Sequence, residues 1–177
     1  MEDLLDYAIS PAGPADALEL GRVHVQSWRE TYPGILPQAA LNRMSAAAHA
    51  RRFRLELGQT REGHVTLVAE GPEGVVGYAA GAVRPGRCAD AEVFTLYVVR
   101  QAQRAGVGRA LLRASARVLK GQGAGSLMLF VLTRNERARG FYERMGGEAF
   151  AEVASHGWGE GLTETAYRWT DIAVLAG

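Results

Sequence analysis

The residues best suited to chemistry lie at Gln103-Arg104-Ala105-Gly106-Val107-Gly108, two glycines among polar and basic neighbours. Just upstream, Val93 to Val99 (VFTLYVV) is β-branched and aromatic without glycine or proline, the composition of a buried strand. Just downstream, Val107, Leu111, Ala114, Ser115 and Val118 recur at helical spacing, so Gly106 and Gly108 open a helix. A glycine turn at a helix start offers unpaired backbone N–H groups and the positive end of the helix dipole, which suit a phosphate. A side chain at either glycine would hold the phosphate away from the backbone. Arg104 and Arg109 flank the turn and supply charge-assisted donors. The turn is no dinucleotide fingerprint, because Leu111 stands where a third glycine is needed. It is no P-loop either: neither it nor Gly121-Gln122-Gly123-Ala124-Gly125-Ser126 supplies the Lys-Ser or Lys-Thr pair. On these six residues alone, a tight strand–helix connection is the competing reading.

The surroundings favour the phosphate site. Ser126 to Leu132 (SLMLFVL) reads as a second strand, and Asn135, Ala138, Phe141 and Tyr142 follow it in NERARGFYERMGG. Gln103, Gly106 and Gly108 occupy the fixed positions of a Gln/Arg-x-x-Gly-x-Gly/Ala motif, and HVQSWRETYPGILP spans His24 to Pro37. On these residues the chain resembles the GCN5-related N-acetyltransferase family, from about its first strand to its last. The resemblance implies an α/β (α+β) fold in a single domain over residues 1–177. Its sheet would be mixed and mostly antiparallel, with splayed parallel central strands, flanked by helices. It also implies acetyl-CoA as acyl-donor cosubstrate and no metal. The pantetheine arm would pair with strand backbone around Leu96 and Val98. The pyrophosphate would sit on Gln103, Arg104, Ala105, Gly106, Val107, Gly108 and Arg109, with Asn135 a further cofactor contact. The implied reaction is transfer of an acetyl group to a primary amine of a small molecule or peptide. The alternative from another class is an acyl-CoA-binding sensor or partner module without turnover.

Transfer from a thioester to an amine makes three demands. The amine must lose a proton, and a lysine-like amine has a pKa of about 10.4. The developing oxyanion needs donors, which strand N–H groups can be. The departing thiolate is helped by an acid, since a thiol has a pKa of about 8.5. The resemblance makes Tyr142 that acid; by its pattern alone it is an amphipathic core tyrosine with its hydroxyl at the rim. Glu92 is the matching base, directly or through water, and otherwise a strand-end glutamate in solvent. Strand alternation puts Glu92 on one face with Phe94 and Leu96, unless a β-bulge resets it. Asn135 also reads as a helix cap. Trp28, Tyr32 and the loop holding His156 and Trp158 are expected to line the acceptor pocket, with Glu92 facing it and Glu30 and Glu160 as steering carboxylates. Trp28 reads equally well as core. Arg113, Arg117 and Lys120 continue Arg109 along a helix and read as a solvated stripe. Three departures stand out: Arg100 where proline is frequent, Arg104 where glycine is common, and Gly146-Gly147 in place of Gly-Phe. Gly140 inside the second helix would admit the cofactor's adenosine end.

The elements that must position these residues are legible as well. The chain has 177 residues, 47% of them hydrophobic and 22% charged, ordinary for a globular domain with a substantial core. A net charge of +1 gives no pull towards nucleic acid, and no apolar run approaches the roughly 20 residues of a membrane span. The opening MEDLLDYAIS is acidic, so no secretory signal is expected, and the lone Cys88 fits a reducing cytoplasm. The four histidines are dispersed, without metal-ligand spacing. A strand near Tyr7 to Ser10 precedes a helix from about Ala15 to Glu30, with Leu18, Gly21, Val25 and Trp28 as its inner stripe. A helical region after Pro37 is split near Ser45, which caps its second piece, and Gly58 ends it. Strands at His64 to Glu70 and Val75 to Arg84 form a hairpin across Gly71-Pro72-Glu73-Gly74. The central strand covers Ala91 to Val99. Two last strands, near Glu148 to Ala154 and Thr163 to Thr170, flank a glycine-rich loop. A homodimer is compatible with the family, although no apolar seam marks one.

Overall fold

The computed structural model describes residues 7–59, 61–155 and 161–177. Strand β1 (Ala8–Pro11) leads through a 3-10 turn into helices α1 (Ala17–Thr31), α2 (Gln38–Arg43) and α3 (Ala46–Leu57). Strands β2 (His64–Gly71), β3 (Gly74–Val83) and β4 (Ala91–Val98) follow, then α4 (Val107–Gly121), β5 (Leu127–Leu132) and α5 (Glu136–Arg144). The chain closes with β6 (Glu148–Ala154), β7 (Thr163–Trp169) and the short α6 (Ala173–Ala176). All seven strands form one sheet in the order β1-β2-β3-β4-β5-β7-β6. Every adjacent pair is antiparallel except β4 and β5. No helix among the described residues is long and apolar enough to cross a membrane.

Local signals explain most boundaries. The Ser45 hydroxyl accepts from the Ala48 N–H at 3.3 Å and opens α3, while the Asn135 side chain accepts from the Ala138 N–H at 3.2 Å and opens α5. Each such cap contributes about 1 kcal/mol. Gly58 ends α3, and the β2–β3 hairpin turns at Pro72-Glu73. The buried stripes lie elsewhere than spacing suggests. Leu18 is 63% exposed, and α1 instead buries Ala17, Leu20, Gly21, Val23, His24, Val25 and Ser27. The helix is wedged between the sheet and α3, so two adjoining faces are covered rather than one narrow stripe. In α4 the largely exposed Val118 gives way to the fully buried Leu119, beside Leu111, Leu112, Ser115 and Ala116.

The two sides of the sheet are covered differently. On one side α1 and α3 pack through an aromatic cluster in which Tyr78 of β3 meets Phe53 of α3 and His24 of α1. On the other side Leu111 of α4 lies over Gly77 of β3, and Tyr142 of α5 packs on Tyr167 and Trp169 of β7.

His24 is buried and shares a 2.6 Å hydrogen bond with the Tyr78 hydroxyl, its ring 4.2 Å from that of His49. Burial, reinforced by His49 and the Arg52 charge, lowers its pKa from 6.5 to about 3. The folded protein therefore keeps His24 neutral where the unfolded chain would bind a proton. Its contribution to stability is complete above about pH 6.5 and is lost as pH falls towards 3. Thermal unfolding across pH 7 to 4 is expected to give a falling Tm, with a shallower slope in His24→Phe than in wild type.

Candidate active site

The parallel neighbours β4 and β5 pair only at Ala91–Leu127 and Glu92–Met128 among the described residues. Beyond that point they diverge, because β5 turns its other edge to β7 while β4 follows β3. The gap opens into a cleft of about 1260 Å³, walled by both strands, the first turn of α4 and one face of α5. An unpaired strand edge leaves N–H and C=O groups that need a partner, which a bound chain carrying amides supplies.

One irregularity decides what faces this gap. The β3–β4 register runs Tyr78–Tyr97, Ala80–Thr95, then Gly81–Val93 and Ala82–Glu92, so Phe94 is an extra residue, a β-bulge. Paired residues share a face, so Glu92, Thr95 and Tyr97 all lie on the α1 side with Tyr78. Leu96 and Val98 lie on the α4 side with Val93. Plain alternation, which joins Glu92 to Leu96, is corrected by this bulge. Gly81 sits opposite it, where a β-carbon would come within 2.6 Å of the Glu92 carbonyl oxygen.

On the α4 side, Gly106 caps α4 with φ of 82° and Arg104 also has a positive φ, 68°. The first-turn N–H groups of α4 have no intrahelical acceptor and lie at the positive end of the helix dipole, which suits an anion. A non-glycine residue is strained in this conformation, so Arg104 carries a local cost. Gln103 turns back, its Nε2 donating to the Val98 carbonyl at 2.8 Å, and braces the turn. Gln103, Arg104, Gly106, Gly108, Arg109, Leu96, Val98 and Asn135 all line the cleft. Ala105 and Val107 do not, and the Val107 side chain belongs to the core. A β-carbon on Gly108 would point at Phe141 (3.6 Å) and Leu96 (3.8 Å), narrowing the passage.

Tyr142 of α5 is buried and also lines the cleft. Burial, aided by nearby Tyr32, pushes its phenol above the ordinary value, so it holds its proton at neutral pH. On the opposite side the Tyr32 and Tyr97 hydroxyls share a 3.2 Å hydrogen bond. Glu92 is a half-buried carboxylate whose Oε2 is 4.0 Å from the Arg84 Nε, and it lines the same cleft.

A family model described as "Acetyltransferase (GNAT) family" matches residues 25–147. The chain belongs to the GNAT acetyltransferase family. The uncharacterized N-acetyltransferase YuaI of Bacillus subtilis is 31% identical over 163 residues, covering 90% of this chain and 91% of that one. The PaiA N-acetyltransferase of Thermoplasma acidophilum, solved in complex with coenzyme A, superposes with a TM-score of 0.76 at 18% identity. That match covers 92% of this chain and 98% of the other. An N-acetyltransferase of Staphylococcus aureus gives 0.70 at 17% identity over 94% and 99% of the two chains.

Several expected residues take other positions in this GNAT chain. Trp28 does not line the cleft; it packs behind Tyr32 and Tyr97, at centroid distances of 5.4 and 6.2 Å. Glu30 lines the cleft, and its carboxylate is also engaged by the Gln26 amide (3.0 Å) and the Arg100 backbone N–H (2.7 Å), which braces the loop after β4. Arg100 makes the tie that proline, lacking an N–H, would forfeit, and its guanidinium adds a 2.7 Å bond to the Glu30 carbonyl. Arg113 lines the cleft instead of facing solvent alone. Gly140 makes room for the Arg144 guanidinium, 3.3 Å from its would-be β-carbon, and is not part of the cleft lining. Gly147 abuts Trp169, at 2.8 Å from its would-be β-carbon, so Trp169 supplies aromatic packing here. His156, Trp158 and Glu160 lie outside the described residues. Tyr97, Phe94 and Glu164 line the cleft without having been singled out, because they owe their places to the bulge and to strand pairing across β5.

Two substitutions test this geometry. Arg104→Gly relieves the left-handed strain and is expected to leave stability unchanged or raise it by about 1 kcal/mol in urea unfolding. Gly81→Ala forces the bulge to shift and is expected to cost about 1–3 kcal/mol in the same measurement.

Proposed function

We propose that this protein transfers an acetyl group from acetyl-CoA directly to a primary amine of a small molecule or peptide, the chain acting as one catalytic domain. The observation that carries the reading is the two-sided gap, with a protonated phenol on one face of the sheet and a carboxylate on the other. The edge of β4 around Leu96 and Val98 offers backbone partners to the pantetheine amides. The N–H groups of the Arg104–Gly108 turn, with Arg104 and Arg109, suit the pyrophosphate. Asn135, besides capping α5, fits as a further contact along the same wall.

Glu92 takes the proton that the ammonium must lose, directly or through one water, and the free amine attacks the thioester carbonyl carbon. Backbone N–H groups in the bulged part of β4 donate to the thioester oxygen as negative charge develops on it. As the C–S bond breaks, Tyr142 gives its proton to the sulfur, and the nitrogen sheds its second proton to the phenolate, leaving a neutral amide and a restored phenol. Burial keeps the phenol protonated at neutral pH, so a proton is present when the thiolate leaves. Tyr32 and Tyr97 line the acceptor side. No cysteine is needed as a covalent relay, and Cys88 lies exposed in the β3–β4 loop.

The test is acetyl-CoA-dependent thiol release, with and without amines. Tyr142→Phe is expected to lower kcat by about 100-fold while the KM for acetyl-CoA changes little. An unchanged kcat would remove Tyr142 from the reaction. Binding of acetyl-CoA without thiol release for any amine would favour the binding-module reading.

A further inference from the structure

Arginines crowd one wall of the cleft. Arg104, Arg109 and Arg113 of the turn and α4, and Arg137 and Arg144 of α5, all line it, whereas Arg117 and Lys120 further along α4 do not. Spacing puts Arg109 and Arg113 on one face of α4, and Arg137, Phe141 and Arg144 on one face of α5. That face of α5 is turned to the first turn of α4, since a β-carbon on Gly108 would stand 3.6 Å from the Phe141 ring. Arg144 folds back along α5, its Nη1 3.3 Å from the would-be β-carbon of Gly140, which brings its guanidinium towards Arg137. Among the described residues, none of these five arginines is held in an ion pair. The carboxylates of α5 do not neutralise this wall: neither Glu136 nor Glu143 lines the cleft, and Glu143 accepts from the Tyr167 hydroxyl at 2.7 Å.

Resting on the acetyl-CoA reading above, we infer that Arg113, Arg137 and Arg144 form a subsite for the 3′-phosphate of coenzyme A, separate from the pyrophosphate site at the α4 turn. The pyrophosphate charge is met by Arg104, Arg109 and the first-turn N–H groups of α4. Three cations then remain on the same wall without a counter-charge. A phosphate monoester carries a charge of about −1.5 to −2 near pH 7 and three strong acceptor oxygens, which arginine forks match bidentately. Arg113 lies one turn beyond Arg109, roughly 6 Å along α4. The 3′-phosphate is joined to the pyrophosphate through a single ribose, a separation that arginines on adjacent turns span. The wall therefore selects the phosphorylated nucleotide over its 3′-dephospho form.

Titration calorimetry with coenzyme A and with 3′-dephospho-coenzyme A tests this without turnover. The wild-type protein is expected to bind coenzyme A more tightly by about tenfold or more, through charge-assisted bonds. That preference is expected to shrink as salt rises. In Arg113→Gln, and in the double variant Arg137→Gln with Arg144→Gln, binding of coenzyme A is expected to weaken several-fold while the dephospho form is unmoved. All three side chains are exposed, so the core is spared. Equal affinity of the wild type for the two ligands overturns the subsite. So does an equal loss for both ligands in the variants, which would mark a diffuse positive field. Either result leaves the acetyl-CoA reading standing, whereas absence of binding by both ligands overturns that reading as well.

Discussion

Two residue pairs, Ala91–Leu127 and Glu92–Met128, hold β4 and β5 together, and the rest of the site depends on how early that pairing stops. A parallel pair that continued would satisfy its own backbone and leave no passage. Because β5 completes its ladder with β7, and β4 with β3, each strand is anchored on its far edge and remains extended beside the gap. The opening is thus a property of sheet topology rather than of side-chain size. Its backbone groups are available because no neighbouring strand of the sheet reaches them.

The bulge at Phe94 adds a second constraint. Without the extra residue, Glu92 would share a face with Leu96 and point towards the α4 side, into the region of the arginines. With it, the carboxylate turns to the aromatic side shared with Tyr97 and Tyr78, and Tyr142 stays on the other. A phenol and a carboxylate thus approach one gap from opposite faces of the sheet.

The α1 and α4 sides are also mechanically joined. Glu30, at the end of α1, holds the Arg100 backbone N–H, and Arg100 returns a bond to the Glu30 carbonyl. Gln103 then ties the same loop to the last residue of β4. The turn that would face phosphates is therefore braced against the helix that leads to Tyr32. This bracing offsets the left-handed strain at Arg104, a local cost that the surrounding hydrogen bonds over-determine.

Much of this was readable in the residues themselves. The glycine turn, the Ser45 and Asn135 caps, the hairpin at Pro72-Glu73 and the order of elements all follow from short-range chemistry. The choice of Gln103, Gly106 and Gly108 follows from the glycine turn, while Tyr142 and Glu92 as cleft residues came from the family resemblance. Tertiary structure alone decided which way Glu92 faces, since a one-residue bulge inverts alternation and is set by the partner strand, where Gly81 gives it room. It decided that Trp28 is packing and that Leu18 is exposed, because α1 is covered by both the sheet and α3. It also placed Glu164 and Phe130 on the Glu92 face of the sheet through successive strand pairings. Periodicity along one segment carries no information about such neighbours, because register across a sheet is a long-range agreement between segments far apart in the chain.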